Sequence, residues 1–210
     1  MRIKTFDLIG ISAIFLLIIS FAIMLTINFT PLYAWDIDYL SISERTGLSK
    51  AALLENYQVL LHYLNRPWVT ALHLPDFPSS KSGLLHFYEV KRLFLFDYLI
   101  FAISSVISVF YVRFLKKTKC EWILIRPFGW GIAVPIVILF LMSAGFDRFF
   151  TQFHQLFFNN DAWLFDPAVD PVILALPETF FMHCFIFAFV LIEVLIIAVY
   201  FYSKKTAFRK

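Results

Sequence analysis

Charged residues are scarce in this sequence. Asp, Glu, Lys and Arg make up 16% of the 210 residues, whereas hydrophobic residues make up 60%. A water-soluble domain of this size could not bury so much apolar surface in one core. The composition therefore excludes an ordinary soluble protein and predicts an integral membrane protein whose surplus apolar surface faces lipid.

Cysteine is scarce as well. Cys120 follows the second long apolar run and Cys184 lies inside the last one, so we expect no disulfide and no cysteine nucleophile outside the membrane. The sequence contains no G-x-S-x-G, H-E-x-x-H or P-loop pattern. Basic and aromatic residues are not interleaved in the way that nucleic-acid binding requires. We therefore predict no cofactor and no nucleic-acid partner.

Long apolar runs are what the sequence has in abundance. Crossing the hydrocarbon layer takes about 20 apolar residues, and four runs are long enough: residues 8–28, 94–114, 128–146 and 180–202. The first run is too long for the apolar part of a secretory signal, and no clean cleavage pattern follows it. The predicted fold is an all-α integral membrane protein with four transmembrane helices, residues 1–210 forming a single membrane domain.

The basic residues predict the orientation of the spans. Eleven Lys and Arg but only two acidic residues fall on one side, in the N-terminal segment with Arg2 and Lys4, the Arg113–Arg126 loop and the tail from Lys204. Basic residues near the ends of spans resist translocation. Both termini are therefore expected in the cytoplasm.

The segments 30–92 and 147–178 then face outward and are expected to form a small, mainly helical extracellular cap. Ser49 is a predicted N-cap of a helix that Asn65-Arg66-Pro67 ends, with apolar residues at helical spacing: Leu53, Tyr57, Leu60, Leu61 and Leu64. A second helix is expected from Leu84 into the next span, with Lys91 and Arg92 snorkelling toward headgroups. A third is expected from Arg148 to about Asn159.

All five histidines lie outside the spans or at their outer edge: His62, His73, His86, His154 and His183. Glu89 follows His86 by three residues, so on a helix it could orient the imidazole or stabilise its charged form. Aromatic rings three or four residues from His154 frame that imidazole: Phe150, Phe157 and Phe158. The structural alternative is that such histidines are interfacial anchors and such rings are packing. His86, Glu89, His154 and Asp161 could in principle bind a metal, but their spacing is generic and we predict none.

Two motifs resemble the lipoprotein intramolecular transacylases, the Lit family. The more specific one is FHQLFFNNDAW at residues 153–163, followed by Asp166-Pro167 and by LPETFF at residues 176–181. The other is HFYEVK at residues 86–91. The four-span arrangement is similar to this family over essentially the whole chain.

The resemblance implies a function and a site. Family members move the sn-2 acyl chain of a diacylglyceryl-cysteine lipoprotein onto the free amine of the same cysteine, without an acyl-enzyme, at the outer face of the bacterial cell membrane. The substrates implied are thus a lipoprotein N-terminus and its lipid. Carried over by motif, His86 and His154 are the expected catalytic residues, supported by Glu89 and Asp161, and the substrate is expected to contact five rings: Tyr88, Phe150, Phe157, Phe158 and Trp163.

Two other functions compatible with the sequence stay open at this point. One is an intermolecular lipid or lipoprotein acyltransferase, which needs a separate acyl donor. The other is a membrane protein without enzymatic activity whose cap binds a partner or a metal.

Overall fold

The computed structural model describes residues 5–208, and that part of the chain is helical without a β-strand, so the predicted all-α class is confirmed. Arg2, Lys4, Arg209 and Lys210, which contribute to the predicted orientation, lie outside the described residues. A short 3₁₀ turn, Glu121–Leu124, follows the fifth helix. The helices in chain order are α1 (Thr5–Asn28), α2 (Thr30–Tyr39), α3 (Ile42–Thr46), α4 (Lys50–Asn65), α5 (Lys81–Thr118), α6 (Ile125–Gly131), α7 (Ala133–Ser143), α8 (Phe146–Phe157), α9 (Val172–Ala175) and α10 (Glu178–Ala207).

Within the described residues, four helical stretches are long and apolar enough to cross a membrane: Thr5–Asn28, Lys81–Thr118, Glu121–Ser143 and Glu178–Ala207. The third stretch is interrupted at Ile132, because Pro135 has no N–H to donate to the carbonyl four residues before it. The predicted run 128–146 reaches beyond this helix. It ends at Ser143, since the backbone of Gly145 is extended and Phe146 already begins α8.

Helix α5 is much longer than a span requires. Its 38 residues extend about 57 Å at 1.5 Å per residue, whereas the hydrocarbon layer is about 30 Å thick. Part of α5 must therefore lie outside the hydrocarbon. His86 is in the second turn of this helix, far from its apolar centre.

The chain divides into two compact units. The first comprises the described residues up to Leu25, the segment Asp97–Ala144 and the described residues from Ile186 on. Its core is almost entirely aliphatic and aromatic: Ile11, Ile14, Ile18, Ala22, Tyr111, Leu115, Leu124, Phe128, Ile192 and Ile196. Gly10 packs on the ring of Tyr111, where a Cβ would overlap the ring, so close approach of α1 and α5 depends on this glycine.

The second unit comprises Thr26–Phe96 and Gly145–Phe185. It contains all residues of the two segments for which the sequence predicts a cap. Its core includes Tyr33, which is 1% exposed, stacks on Tyr57 at 4.2 Å between ring centroids and donates its hydroxyl to the carbonyl of Ala175 at 3.0 Å. These contacts tie α2 to α4 and to the segment before α10.

Helix α4 confirms that Ser49 is an N-cap, as predicted. Ser49 has an extended backbone, and its hydroxyl accepts a hydrogen bond from the N–H of Ala52 at 3.2 Å. The buried face of the helix includes four of the five predicted apolar positions: Leu53, Tyr57, Leu60 and Leu64. The fifth, Leu61, packs against the same core while partly exposed.

The prediction for Lys91 is wrong. Its side chain is buried, its ammonium donates to the carbonyl of Val69, and it lies 4.3 Å from the ring centroid of Tyr63. A buried ammonium keeps a hydrogen-bond partner and a ring face in place of water. Lys91 therefore ties α5 to the segment after α4.

Candidate active site

His86 and His154 come together in the second unit. Their ring centroids are 5.7 Å apart, and each residue is 8% exposed. His86 comes from α5, and His154 comes from the last turn of α8, whose buried face also carries Phe146. Two imidazoles at this separation can both reach reacting groups of one small substrate.

Aromatic rings surround both imidazoles. Phe150 and Trp163 lie 4.2 and 4.8 Å from the His154 ring, between centroids. Phe158 lies 4.8 Å from His86 and 5.7 Å from His154. Phe165, which is not among the predicted site residues, lies 5.5 Å from His86 between ring centroids. Rings on several sides displace water and leave few polar groups to compete for protons.

The hydrogen bond of His154 fixes which nitrogen is basic. Its Nδ1 lies 2.8 Å from the carbonyl oxygen of Phe150. A carbonyl only accepts, so Nδ1 carries the hydrogen and Nε2 carries the lone pair in the neutral ring. Burial lowers the pKa of His154, while the bond to Phe150 opposes that shift. Neutral His154 is thus available as a proton acceptor near neutral pH.

The spacing of His86 and Glu89 suggested a direct interaction between them, but the carboxylate of Glu89 has a different hydrogen-bond partner. Oε1 of Glu89 accepts a hydrogen bond from the amide of Asn160 at 2.8 Å. Nδ1 of His86 is buried and has no hydrogen-bond partner among the described residues. Asn160 is a residue whose role sequence reasoning missed, although it stands within the motif at residues 153–163.

Other predicted site residues lie at the surface. Tyr88 is 51% exposed and Phe157 is 49% exposed. The ring of Phe157 packs on that of Phe153, with 4.8 Å between ring centroids. Asp161 is exposed. Of the predicted rings, Phe150, Phe158 and Trp163 are thus the ones in contact with a histidine.

The remaining histidines lie apart from this pair. His62 and His73 are exposed, and Nδ1 of His183 lies 2.7 Å from Oδ1 of the buried Asp36. Within residues 5–208 no group of three or more His, Cys, Asp or Glu side chains is arranged to hold a metal ion.

Asp170 anchors the start of α5, the helix that carries His86. Its carboxylate accepts hydrogen bonds from the N–H of Ser80 at 2.7 Å and from the Ser80 hydroxyl at 2.6 Å. The same hydroxyl accepts from the N–H of Gly83 at 2.9 Å and caps the helix. The sequence indicated only a turn at Asp170-Pro171. In the fold this aspartate ties the loop that carries Trp163 to the helix that carries His86.

Gly83→Ala is expected to destabilise the protein, although alanine is the better helix former by about 1 kcal/mol. An added Cβ would overlap the Asp170 carboxylate, so the aspartate must move and its bonds to Ser80 weaken. We expect a net loss of about 1–3 kcal/mol, from overpacking and lost hydrogen bonds. Thermal unfolding in detergent measures the effect.

Gly129→Ala is the matched control for this substitution. Gly129 also lies in a helix, but a Cβ there meets only the ring of Tyr200, at 3.4 Å. A higher melting temperature for Gly83→Ala than for the unmodified protein would contradict the anchoring role of Asp170.

Comparison with known proteins shows the family of the chain. The sequence model of the family described as lipoprotein intramolecular transacylase Lit matches residues 8–181. The structure of the membrane integral lipoprotein intramolecular transacylase Lit from Bacillus cereus is 32% identical to this chain, with a TM-score of 0.91, and the match covers 96% of this chain and 94% of that one.

Two further structures are those of mutated forms of the same Bacillus cereus protein. One carries a histidine-to-arginine mutation, and its match covers 96% of this chain and 90% of that one. The other carries a histidine-to-alanine mutation, with 95% and 91% covered. Both have TM-scores of 0.83 and 32% identity. No curated protein sequence matches the chain. The family match over most of the chain, with the structural similarity over nearly all of it, shows that the chain belongs to the Lit family of lipoprotein intramolecular transacylases.

Proposed function

We propose that this enzyme moves the sn-2 acyl chain of a diacylglyceryl-cysteine lipoprotein onto the α-amino group of the same cysteine. The product is an N-acyl, S-monoacylglyceryl lipoprotein, a lyso form. The observation that carries the proposal is the pair of buried imidazoles 5.7 Å apart in a ring-lined site. Such a pair supplies one proton acceptor and one proton donor to an acyl transfer.

The reaction needs no acyl-enzyme, because nucleophile and ester belong to one substrate molecule. The amine nitrogen bonds to the sn-2 carbonyl carbon, and the bond from that carbon to the glycerol oxygen then breaks. The transient ring contains the nitrogen, two cysteine carbons, sulfur, two glycerol carbons, the ester oxygen and the carbonyl carbon. Confinement of such a flexible ring can contribute about 7–11 kcal/mol of the barrier reduction.

Proton transfers complete the reaction. A terminal ammonium has a pKa of about 7.7–8.0 and attacks only after losing a proton. We assign His154 as the acceptor, because its Nε2 carries the lone pair while Nδ1 is bonded to Phe150. We assign His86 as the group that stabilises the negative charge on the carbonyl oxygen and on the leaving glycerol oxygen. The nitrogen loses two protons in all, one before it attacks and one after its bond to carbon forms. One of them goes to the glycerol oxygen, which leaves as a hydroxyl, and the other is released to the solvent.

The surrounding rings are proposed to hold the acyl chains. Phe150, Phe158 and Trp163 line the imidazoles, and the exposed rings of Tyr88 and Phe157 offer apolar surface to lipid. Asp161 is exposed in the loop that follows α8, and we propose that it faces the polar part of the substrate.

The protein is integral to the membrane, and we propose that its site faces the outside of a bacterial cell membrane. The distribution of basic residues supports cytoplasmic termini. With that orientation, the extracellular cap consists of residues 30–92 and 147–178. We propose that residues 1–210 form a single membrane domain that includes this cap. The length of α5 is consistent with His86 at headgroup level.

A double-label experiment tests the reaction. Two diacylglyceryl lipopeptides are mixed with the purified protein, one carrying isotopes in both peptide and sn-2 acyl chain and the other carrying none. We expect blocked amines and unchanged substrate masses, with no product of mixed label and no need for an added acyl donor. Tandem mass spectrometry locates the acyl chain on nitrogen. Products of mixed label would indicate an intermolecular acyltransferase, and unmodified amines would reject the proposal.

A further inference from the structure

One carboxylate oxygen in the site has no partner. Oε2 of Glu89 is buried and accepts no hydrogen bond from the described residues. The ion pairs among the described residues are Lys50 with Asp38 and His183 with Asp36, so no cation of this part of the chain neutralises Glu89. Burying an unpaired carboxylate oxygen costs free energy, and such groups in native proteins call for a ligand or another explanation.

Asn160 holds this carboxylate in one orientation. The amide of Asn160 donates to Oε1 of Glu89, while its own oxygen accepts from the N–H of Ala162 at 2.9 Å. Both ends of the Asn160 side chain are therefore engaged. Glu89 cannot turn its free oxygen away without breaking this arrangement.

Glu89 lies on the same helix as His86 and its partner Asn160 lies close in sequence to a ring of the site. Glu89 lies on α5 three residues after His86, and positions three apart share a face of a helix. Asn160 lies two residues after Phe158, whose ring contacts both histidines. Both relations favour a role for the unpaired acceptor in binding a substrate beside the paired histidines.

We propose that Oε2 of Glu89 binds the α-ammonium group of the lipoprotein cysteine, and this inference rests on the function proposed above. A primary ammonium is a compact cation with three donors, so one N–H bonds to Glu89 while another faces a histidine. The carboxylate specifies a substrate with a free amine and orients the nitrogen toward the ester.

The charge on nitrogen explains why a carboxylate suits the whole reaction. The nitrogen is cationic when the substrate binds. After losing a proton it attacks, and it becomes cationic again as the bond to carbon forms, so Glu89 stabilises the developing charge. The product nitrogen is a neutral amide, which loses the ion pair with Glu89. The reaction thereby weakens the binding of its own product.

Binding of unreactive ligands tests the inference. The probe is a diacylglyceryl-cysteine peptide analogue with ether links in place of the esters, so that no transfer occurs, and its N-acetylated form is the neutral comparator. Titration calorimetry in detergent gives both dissociation constants. For the unmodified protein we expect the amine ligand to bind about 10- to 100-fold more tightly.

Glu89→Gln is expected to bring this ratio close to one, because the amide still accepts from Asn160 but carries no charge. Glu55→Gln, which removes the same charge from an exposed position of α4, is expected to keep the ratio. Asn160→Ala, which frees the carboxylate to turn, is expected to lower the ratio severalfold and serves if the first variant does not fold.

The inference is overturned if the unmodified protein has no preference for the amine, or if every folded variant at positions 89 and 160 keeps that preference. The binding measurements do not depend on the result of the double-label experiment, which tests acyl transfer. Transfer by the unmodified protein with an unchanged amine preference in the variants would leave the proposed function intact and remove only the role of Glu89.

Discussion

His154→Gln is expected to lower the rate of acyl transfer by about 10²–10⁴-fold, the usual contribution of a general base. Glutamine is neutral and of similar size, and its amide can still donate to the carbonyl of Phe150, which now accepts from Nδ1 at 2.8 Å. It has no basic nitrogen in place of Nε2. Conversion of the diacylglyceryl lipopeptide, followed by mass spectrometry of the acylated amine, measures the loss.

His62→Gln and His73→Gln are the matched controls for His154→Gln. Both histidines belong to the same unit and are exposed, so their substitution tests whether the loss is specific to the paired imidazoles. We expect both controls to retain the rate of the unmodified protein. If folded His154→Gln retained full activity, His154 would not be the proton acceptor.

His86→Ala is expected to reduce the rate by about 10²–10³-fold, as removal of one donor to an oxyanion does. The double variant with His154→Gln should be little slower than the slower single variant, because residues that act as a unit in one step are non-additive. Single-turnover rates of the two single variants and the double variant measure the coupling.

A multiplicative loss in the double variant would contradict the shared step and would indicate that the two imidazoles act independently. Melting temperatures of all three variants provide the control for folding, since both histidines are buried. A variant that melts near the unmodified protein but has lost its activity has lost chemistry and not structure.

Much of the fold could be predicted from local pattern. Helix α1 is apolar on every side over 24 residues, and this length of apolar sequence predicts a transmembrane helix. The Ser49 N-cap could be predicted because this serine precedes apolar residues at helical spacing, and it is confirmed. The end of the third stretch could not, because Gly145 and Phe146 belong to an apolar run whose backbone conformation hydropathy does not report.

The site divides in the same way. Both histidines were expected in the site because two sequence motifs resemble the Lit family, whereas the residue chemistry by itself left them open as interfacial anchors. The hydrogen bond from Asn160 to Glu89 could not be predicted, since it joins residues 71 positions apart and depends on the path of the loop between α8 and α9. Lys91 was misread for a similar reason. Its position beside a span predicts snorkelling, whereas the carbonyl of Val69 and the ring of Tyr63 hold it inside.

Membrane insertion and the positions of the helices could be predicted from the amino-acid sequence, because they depend on composition and short-range periodicity. The expected site histidines followed from two motifs that resemble the Lit family. It is the folded protein that shows the rings of His86 and His154 5.7 Å apart, Nδ1 of His154 bonded to the carbonyl of Phe150, and Glu89 held by Asn160 with its other oxygen lacking a partner among the described residues. Those properties depend on contacts between distant segments, whose geometry is fixed by packing of the whole unit and not by any local pattern.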